Sequence, residues 1–403
     1  MRPRRAVRPY SRLIATHTLL RVAVAALLCA ALPACSQHDA VGRAVSAAGW
    51  ETSAVQAMSA VRSAPARDET CRQVLRATAG GSTIRLRLSN VMSPASLTLG
   101  AVTVGLRRAG ADLVGPPRAV TVAGSPTTRI VAGRHVTTDP IELNVVPGAD
   151  VAVSFAVTGS AKLSEHLVGA ATGWCTGTGT SNHTTDTTGA AFTTPSREGL
   201  VVEALEVRTA TPRTDGILVV GDSLTDPPLP PDTYQRWTDV VATRTGRPVA
   251  NVAIGGNRVM LPGGYGRTLS ERFADDVLDR PGAGTVVLFA GTNDVSTGIT
   301  AAALTARLGE LCRQAKAHHL RVVLVTLVPA WRRPLAREQV RQQVNAWIRT
   351  TPDADVRVDA DALVRDPTQP TRLLPAYDFG DGLHLSAAGH QVLGQAIATA
   401  LPG

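Results

Sequence analysis

The pattern of the chain changes near residue 210, and that change constrains the fold more than any other feature. After TATPRTDG (209–216) come four short apolar runs: ILVV (217–220), VANVAI (249–254), TVVLFA (285–290) and RVVLVTLV (321–328). Helical spacing fills the intervals and the end, over roughly 234–245, 267–279, 300–319, 336–349 and 386–400. A strand that is apolar throughout is covered on both faces, and strands separated by helices form a parallel sheet between helical layers. Residues 211–403 are therefore expected to form a three-layer α/β domain. In such sheets ligands bind beyond the carboxyl ends of the strands.

Upstream the pattern is different. STIRLRLSN (82–90) and SLTLGAVTVGLRR (96–108) alternate apolar and polar residues, PIELNVVPGADVAVSFAV (140–157) reads as two strands around a Pro-Gly turn, and TGTGTSNHTTDTTGAAFTT (176–194) is a loop. Short strands broken by turns predict an all-β sandwich or jelly roll over residues 49–210. A length of 403 residues accommodates both domains.

The N-terminus reads as an export segment. Residues 1–34 hold six arginines and no acid, and lead into VAVAALLCAAL (22–32), which is short for a membrane span. The following LPACS is similar to the lipobox of bacterial lipoproteins. That resemblance implies a signal peptide over 1–34, lipidation at Cys35, a tether over 35–48, and an extracytoplasmic protein that is lipid-anchored to the membrane or secreted. The net charge of +9 shrinks accordingly, since removing those six arginines leaves 35 basic against 32 acidic side chains. No basic cluster with interleaved aromatics remains, so no nucleic-acid partner is expected. Aromatics make up only 3% of the chain, which weighs against an aromatic-lined sugar platform. Outside the cell, Cys71 and Cys175 are candidates for a disulfide, while Cys312, in a helical pattern, reads as a buried free thiol.

Ser223, in GILVVGDSLTDPPLP (216–230), sits where the first parallel strand ends. A serine hydroxyl becomes a nucleophile only with a base to take its proton, a group to orient that base, and donors for the oxyanion. YDFGDGLHLSAAGH (377–390) offers Asp381 and His384, about one helical turn apart, ahead of Ser386 as N-cap of the last helix. NVAIGGNRVM (251–260) offers Gly256, where backbone can approach a reacting centre. FAGTNDV (289–295) offers the neutral amide of Asn293. Each segment alone reads equally well as a turn or loop end.

The four blocks GDSLTD, GGN, GTND and DGLH, in this order, resemble the GDSL-type esterases and lipases, the SGNH hydrolases, over nearly all of residues 215–403. The resemblance implies a flavodoxin-like three-layer domain with Ser223 as nucleophile, His384 as base and Asp381 as its orienter. It implies an oxyanion hole from the Ser223 and Gly256 backbone N–H groups and the Asn293 amide. It further implies a carboxylic-ester hydrolase with no metal or cofactor. The extracytoplasmic anchor favours acylated glycans or lipids as substrates, and a monomer is favoured, an oligomeric state that no motif assigns. GGSTIRLRLSN and SEHLVGAATGW are similar to the β-domain of secreted members of that family. Many of those carry proline after the histidine, where this chain has Leu385. The absence of a G-x-S-x-G elbow, and an acid only three residues before the histidine, separate the chain from α/β-hydrolases. No P-loop or zinc spacing is present. Two other functions fit the same pattern: an acyltransferase to a sugar hydroxyl using the same residues, and a non-catalytic envelope binding protein.

Overall fold

Two antiparallel sheets account for most of residues 50–208. The structure, a computed structural model, describes residues 49–401 apart from 168, 181, 210, 212, 231 and 332. The expected signal peptide, Cys35 and the tether lie outside the described residues. Among the described residues no helix is long and apolar enough to cross a membrane. The principal strands of the β-rich region are β1 (Trp50–Val55), β2 (Ala66–Arg76), β3 (Gly81–Ser89), β4 (Leu97–Ala109), β5 (Ile141–Val145), β6 (Asp150–Ala161), β7 (Ser164–His166), β8 (Thr172–Cys175) and β9 (Val202–Arg208). One sheet has the order β1–β9–β3–β5 and the other contains β8–β2–β6–β4. The alternation seen in the sequence is what joins them: Ile84, Leu86 and Leu88 of β3 and Val151, Val153, Phe155 and Val157 of β6 point into a single core. Cys71 and Cys175, paired in register between β2 and β8, are disulfide-bonded. Cys312 is a buried free thiol, pushed up to about 12 by burial.

The second half contains β10 (Gly216–Gly221), β11 (Val249–Asn251), β12 (Ala283–Phe289), β13 (Arg321–Val325) and β14 (Val356–Val358). All pair in parallel, in the order β11–β10–β12–β13–β14. The edge strand β14 has no counterpart among the expected strands, because three residues with Arg357 in the middle do not register as an apolar run. The helices are α1 (Trp237–Thr245), α2 (Leu269–Phe273), α3 (Thr292–Thr297), α4 (Ala301–Ala317), α5 (Leu335–Thr350), α6 (Ala360–Val364) and α7 (Ala387–Ala400). The helix expected over 267–279 is α2 followed by a π turn over Ala274–Leu278, where buried Asp276 holds buried Arg272 at 2.8 Å.

Successive residues of each parallel strand enter opposite layers. Leu218, Val220, Val286 and Leu288 pack with Leu304 and Leu308 of α4 and Val344 and Ile348 of α5. Ile217, Val219, Val287 and Phe289 pack with Trp237 and Val241 of α1 and Leu393 and Ile397 of α7. The lack of polar alternation in these runs follows directly from burial on both faces.

Residues from Gly49 onward form one compact unit. The β-rich region covers the open edge of the parallel sheet at β11. There Thr78 Oγ1 accepts the Val249 N–H and donates to the Val249 carbonyl, both at 3.1 Å. Val55 and Ala204 share a core with Leu218. Glu203 of β9 pairs with fully buried Arg280 at 2.5 Å and with Arg87 at 3.0 Å.

Candidate active site

The turn after β10 presents Ser223. Gly221 has no room for a side chain, since a Cβ there would lie 2.6 Å from both the Phe289 carbonyl oxygen and Thr225 Oγ1. The Asp222 carbonyl then accepts the N–H groups of Thr225 and Asp226, each at 2.9 Å, and its carboxylate accepts the Leu224 N–H at 3.0 Å. This closes a tight turn that leaves Ser223 half-buried. Burial pushes the Asp222 carboxyl up to about 6, with Asp294 adding to the rise.

Ser223 Oγ lies 2.8 Å from His384 Nε2, and His384 Nδ1 lies 2.6 Å from Asp381 Oδ2. The second Asp381 oxygen accepts the N–H groups of Leu383 at 3.0 Å and His384 at 2.9 Å. Burial works against ionisation of Asp381, but the His384 side chain and these two N–H donors outweigh it and hold the carboxyl below its usual range. The spacing of Asp381 and His384 is not a helical turn, as the sequence suggested. Residues 381–384 form a loop ahead of α7, and the backbone hydrogen bonds to Asp381 do the bending. Ser386 caps α7 by accepting the Gly389 N–H at 3.2 Å. Leu385, where many similar proteins carry proline, is buried in the core beside α7. Asp378 accepts the N–H groups of Gly380 and Gly382 and so shapes the loop.

Gly256 follows β11 in a loop that begins beside Ser223, because the Ile254 N–H donates to the Gly221 carbonyl at 3.2 Å. It has φ of +72°, and the Tyr265 ring occupies the space a Cβ would need. Asn293 lies in the first turn of α3, after β12. Its Nδ2 donates to the Asn257 carbonyl at 2.9 Å, tying it to the residue after Gly256. The loops after β10, β11 and β12 thus meet where the strand order reverses, the crevice in which open parallel sheets hold ligands.

Three supporting residues were missed in the sequence although they adjoin the motif letters: Asp222, Asn257 and Asp294. Asp294 accepts the N–H groups of Val259 at 2.7 Å and Met260 at 3.1 Å. Asn257 donates to the Tyr265 and Arg267 carbonyls and accepts from buried Arg272 at 3.0 Å. Their positions in the motifs were legible, but their partners were not. Composition says nothing of where the few aromatics lie. Tyr265, Trp331 and Phe379 are the exposed large aromatics among the described residues, and all three adjoin the site. Tyr265 lies on Gly256, Trp331 donates its N–H to the Gly382 carbonyl at 2.8 Å, and Phe379 donates its own to the His384 carbonyl at 2.9 Å. Among the described residues, one His, Cys and acid group is close enough to gather a metal: Glu69, Cys71 and Cys175. Its two sulfurs are already bonded to each other.

Residues 219–392 match the GDSL-like Lipase/Acylhydrolase family. No curated protein matches the chain in sequence. Among solved structures, a GDSL-like lipase from Bacteroides thetaiotaomicron is 24% identical, covering 46% of this chain and 87% of that one with a TM-score of 0.37. An acetylxylan esterase from Geobacillus stearothermophilus is 21% identical over 46% and 94%, with a TM-score of 0.36. A family two carbohydrate esterase from Clostridium thermocellum, in complex with cellohexaose, is 12% identical over 83% and 92%, with a TM-score of 0.38.

Proposed function

Residues 219–392 form a GDSL-like lipase/acylhydrolase domain, the chain is a carboxylic-ester hydrolase, and from that premise we propose that it works through a Ser223–His384–Asp381 triad and an acyl-enzyme. The observation that carries this reading is the unbroken line from Ser223 Oγ to His384 Nε2 at 2.8 Å and from His384 Nδ1 to Asp381 Oδ2 at 2.6 Å. Asp381 fixes the histidine tautomer with the proton on Nδ1, so Nε2 is free to accept. As Ser223 Oγ attacks the ester carbonyl carbon, His384 takes its proton. The oxyanion accepts from the Ser223 and Gly256 backbone N–H groups and from Asn293. One Asn293 N–H is engaged on the Asn257 carbonyl, which aims the amide and leaves the second N–H for the oxyanion. Collapse of the intermediate expels the alcohol, which receives the proton from His384. Water, deprotonated by the same histidine, then releases the acid and restores Ser223.

The same reading takes the catalytic half as a flavodoxin-like three-layer domain braced by a β-sandwich. It makes the protein extracytoplasmic, held at the membrane through Cys35 or secreted, acting on acylated glycans or lipids, with a monomer favoured. The exposed Tyr265 ring against Gly256 suits either a sugar face or an acyl chain. Hydrolysis of p-nitrophenyl esters from acetate to palmitate by residues 36–403 decides between them. Ser223→Ala is expected to lose at least about 10⁴-fold in kcat while remaining folded. A preference for acetate points to acetylated glycans and a preference for palmitate to lipids. Turnover surviving in Ser223→Ala would overturn the assignment.

A further inference from the structure

The β-rich region reaches the nucleophile turn through the buried side chain of His166, at the end of β7. Its Nδ1 lies 2.7 Å from the Ala57 carbonyl oxygen and its Nε2 lies 2.7 Å from Asp226 Oδ2. Asp226 stands three residues after Ser223, and its N–H closes the turn on the Asp222 carbonyl at 2.9 Å. Its other oxygen accepts from Arg236 Nη1 at 2.9 Å, at the start of α1. Both His166 and Asp226 are buried. A carbonyl and a carboxylate can only accept, so both ring nitrogens of His166 must donate. The ring is therefore an imidazolium.

We propose that His166 is a positioning residue for Ser223: as a doubly protonated ring bridging Ala57 and Asp226, it fastens the nucleophile turn to the β-rich region. This rests on Ser223 acting as the nucleophile. The turn is also held by Trp237 Nε1 on the Leu224 carbonyl and Asn251 Nδ2 on the Thr225 carbonyl, each at 3.2 Å. Those two bonds come from the parallel-sheet half; His166 adds the grip from the other half. The fit is close, because a Cβ on Gly169 would lie 2.4 Å from His166 Nε2 and 3.0 Å from Asp226 Oδ2.

The charged groups around the ring balance. Asp226 and Asp239 carry the negative charges, and Arg236, bonded to both, carries a positive one. With His166 charged the cluster is neutral. On its other side the ring meets the Ala57 carbonyl. Glu165, the preceding residue of β7, is held above its usual range by burial and by Glu198. His390 of α7, which faces Arg236 and Asp239, is pushed down to about 4 by burial, so it adds no charge. For His166, burial alone would lower the pKa. The Asp226 charge, its hydrogen bond and the Ala57 carbonyl outweigh that and raise it above the ordinary value of 6.5. A histidine raised on folding holds its grip fully below the unfolded value and loses it as pH rises through the folded one. Above that point only one nitrogen can donate, and either Ala57 or Asp226 loses its partner.

The test follows Ser223 reactivity, independently of the natural ester, as the rate of fluorophosphonate labelling from pH 5 to 10. The wild-type rate is expected to fall in an alkaline limb. His166→Gln should label about tenfold more slowly below that limb and lack it. Asp226→Asn offers an amide that can donate to a neutral ring, so it too should lack the limb. Should His166→Gln fail to fold, Asp226→Asn and the wild-type protein still decide. In the wild type, the His166 Cε1–H signal should stay at its imidazolium position at pH values where the exposed histidines have already lost theirs. Wild type and both variants labelling at one rate with one pH profile, or His166 titrating with the exposed histidines, would overturn the inference alone. A wild type that never labels would overturn the nucleophile reading, and this inference with it.

Discussion

The two halves of this molecule store their information at different ranges. In the parallel-sheet half, each candidate site residue sits in a short block that follows a strand or opens a helix, and the topology brings the loops that carry Ser223, Gly256, Asn293 and His384 together. In the β-rich half, the residues that matter find partners far along the chain. Cys175 meets Cys71 across 104 residues, His166 meets Asp226 across 60, Glu203 meets Arg280 across 77, and Thr78 meets Val249 across 171. Topology turns sequence order into position for the first half. For the second, only the folded chain shows which residue meets which. The chemistry belongs to one half and its support is shared by both.

The sharpest way to break this comparison is at the shared boundary. Arg280→Met removes the fully buried guanidinium that neutralises Glu203, leaving that carboxylate with Arg87 alone. Breaking a buried pair from one side costs about 3–5 kcal/mol. Calorimetry should show one transition shifted down as a whole. Two separated transitions would mean that the halves are stable independently. The second prediction keeps to the catalytic half. Asn293→Ala should lower kcat by about 10²–10³, or about 2.7–4 kcal/mol, with the fold retained, because it removes the proposed oxyanion donor and, besides that, one hydrogen bond to the Asn257 carbonyl. An unchanged kcat would take Asn293 out of the site. The third concerns the buried carboxyl beside Ser223. Asp222, raised on folding to about 6, binds its proton more tightly in the native state, so it favours folding at low pH and costs stability as pH rises. Its shift from 3.8 corresponds to about 3 kcal/mol lost between about pH 4 and pH 7. Asp222→Asn should flatten that decline in urea melts at a series of pH values. A decline as steep as the wild type's would show that another group causes it.

Much of the catalytic half was legible because burial on both faces leaves an unmistakable apolar strand, and because the four blocks sit at loop positions that parallel topology makes adjacent. What the blocks could not show is how they are held. Asp381 and His384 are three residues apart in a loop bent by backbone donors, where a helical turn would have given the same spacing. Asp294 and Asn257 look like ordinary motif letters until their contacts to Val259, Met260 and Arg272 are seen. The strand β14 escaped notice because three residues with exposed Arg357 in the middle make no apolar run. Composition was silent in one respect. An aromatic content of 3% is an average, and it hid the placement of Tyr265, Trp331 and Phe379 around the site. In the β-rich half, alternation revealed strands, but nothing local in SEHLVG marks His166 as the partner of Asp226.

The central claim is that Ser223 is the nucleophile, and the most direct measurement is to locate the covalent adduct. The folded protein is treated with a fluorophosphonate, digested, and its peptides sequenced by mass spectrometry. A single phosphonylated site at Ser223, absent in both Ser223→Ala and His384→Ala, is the predicted result. No adduct on the folded wild type, or an adduct on another residue that survives in Ser223→Ala, would contradict it.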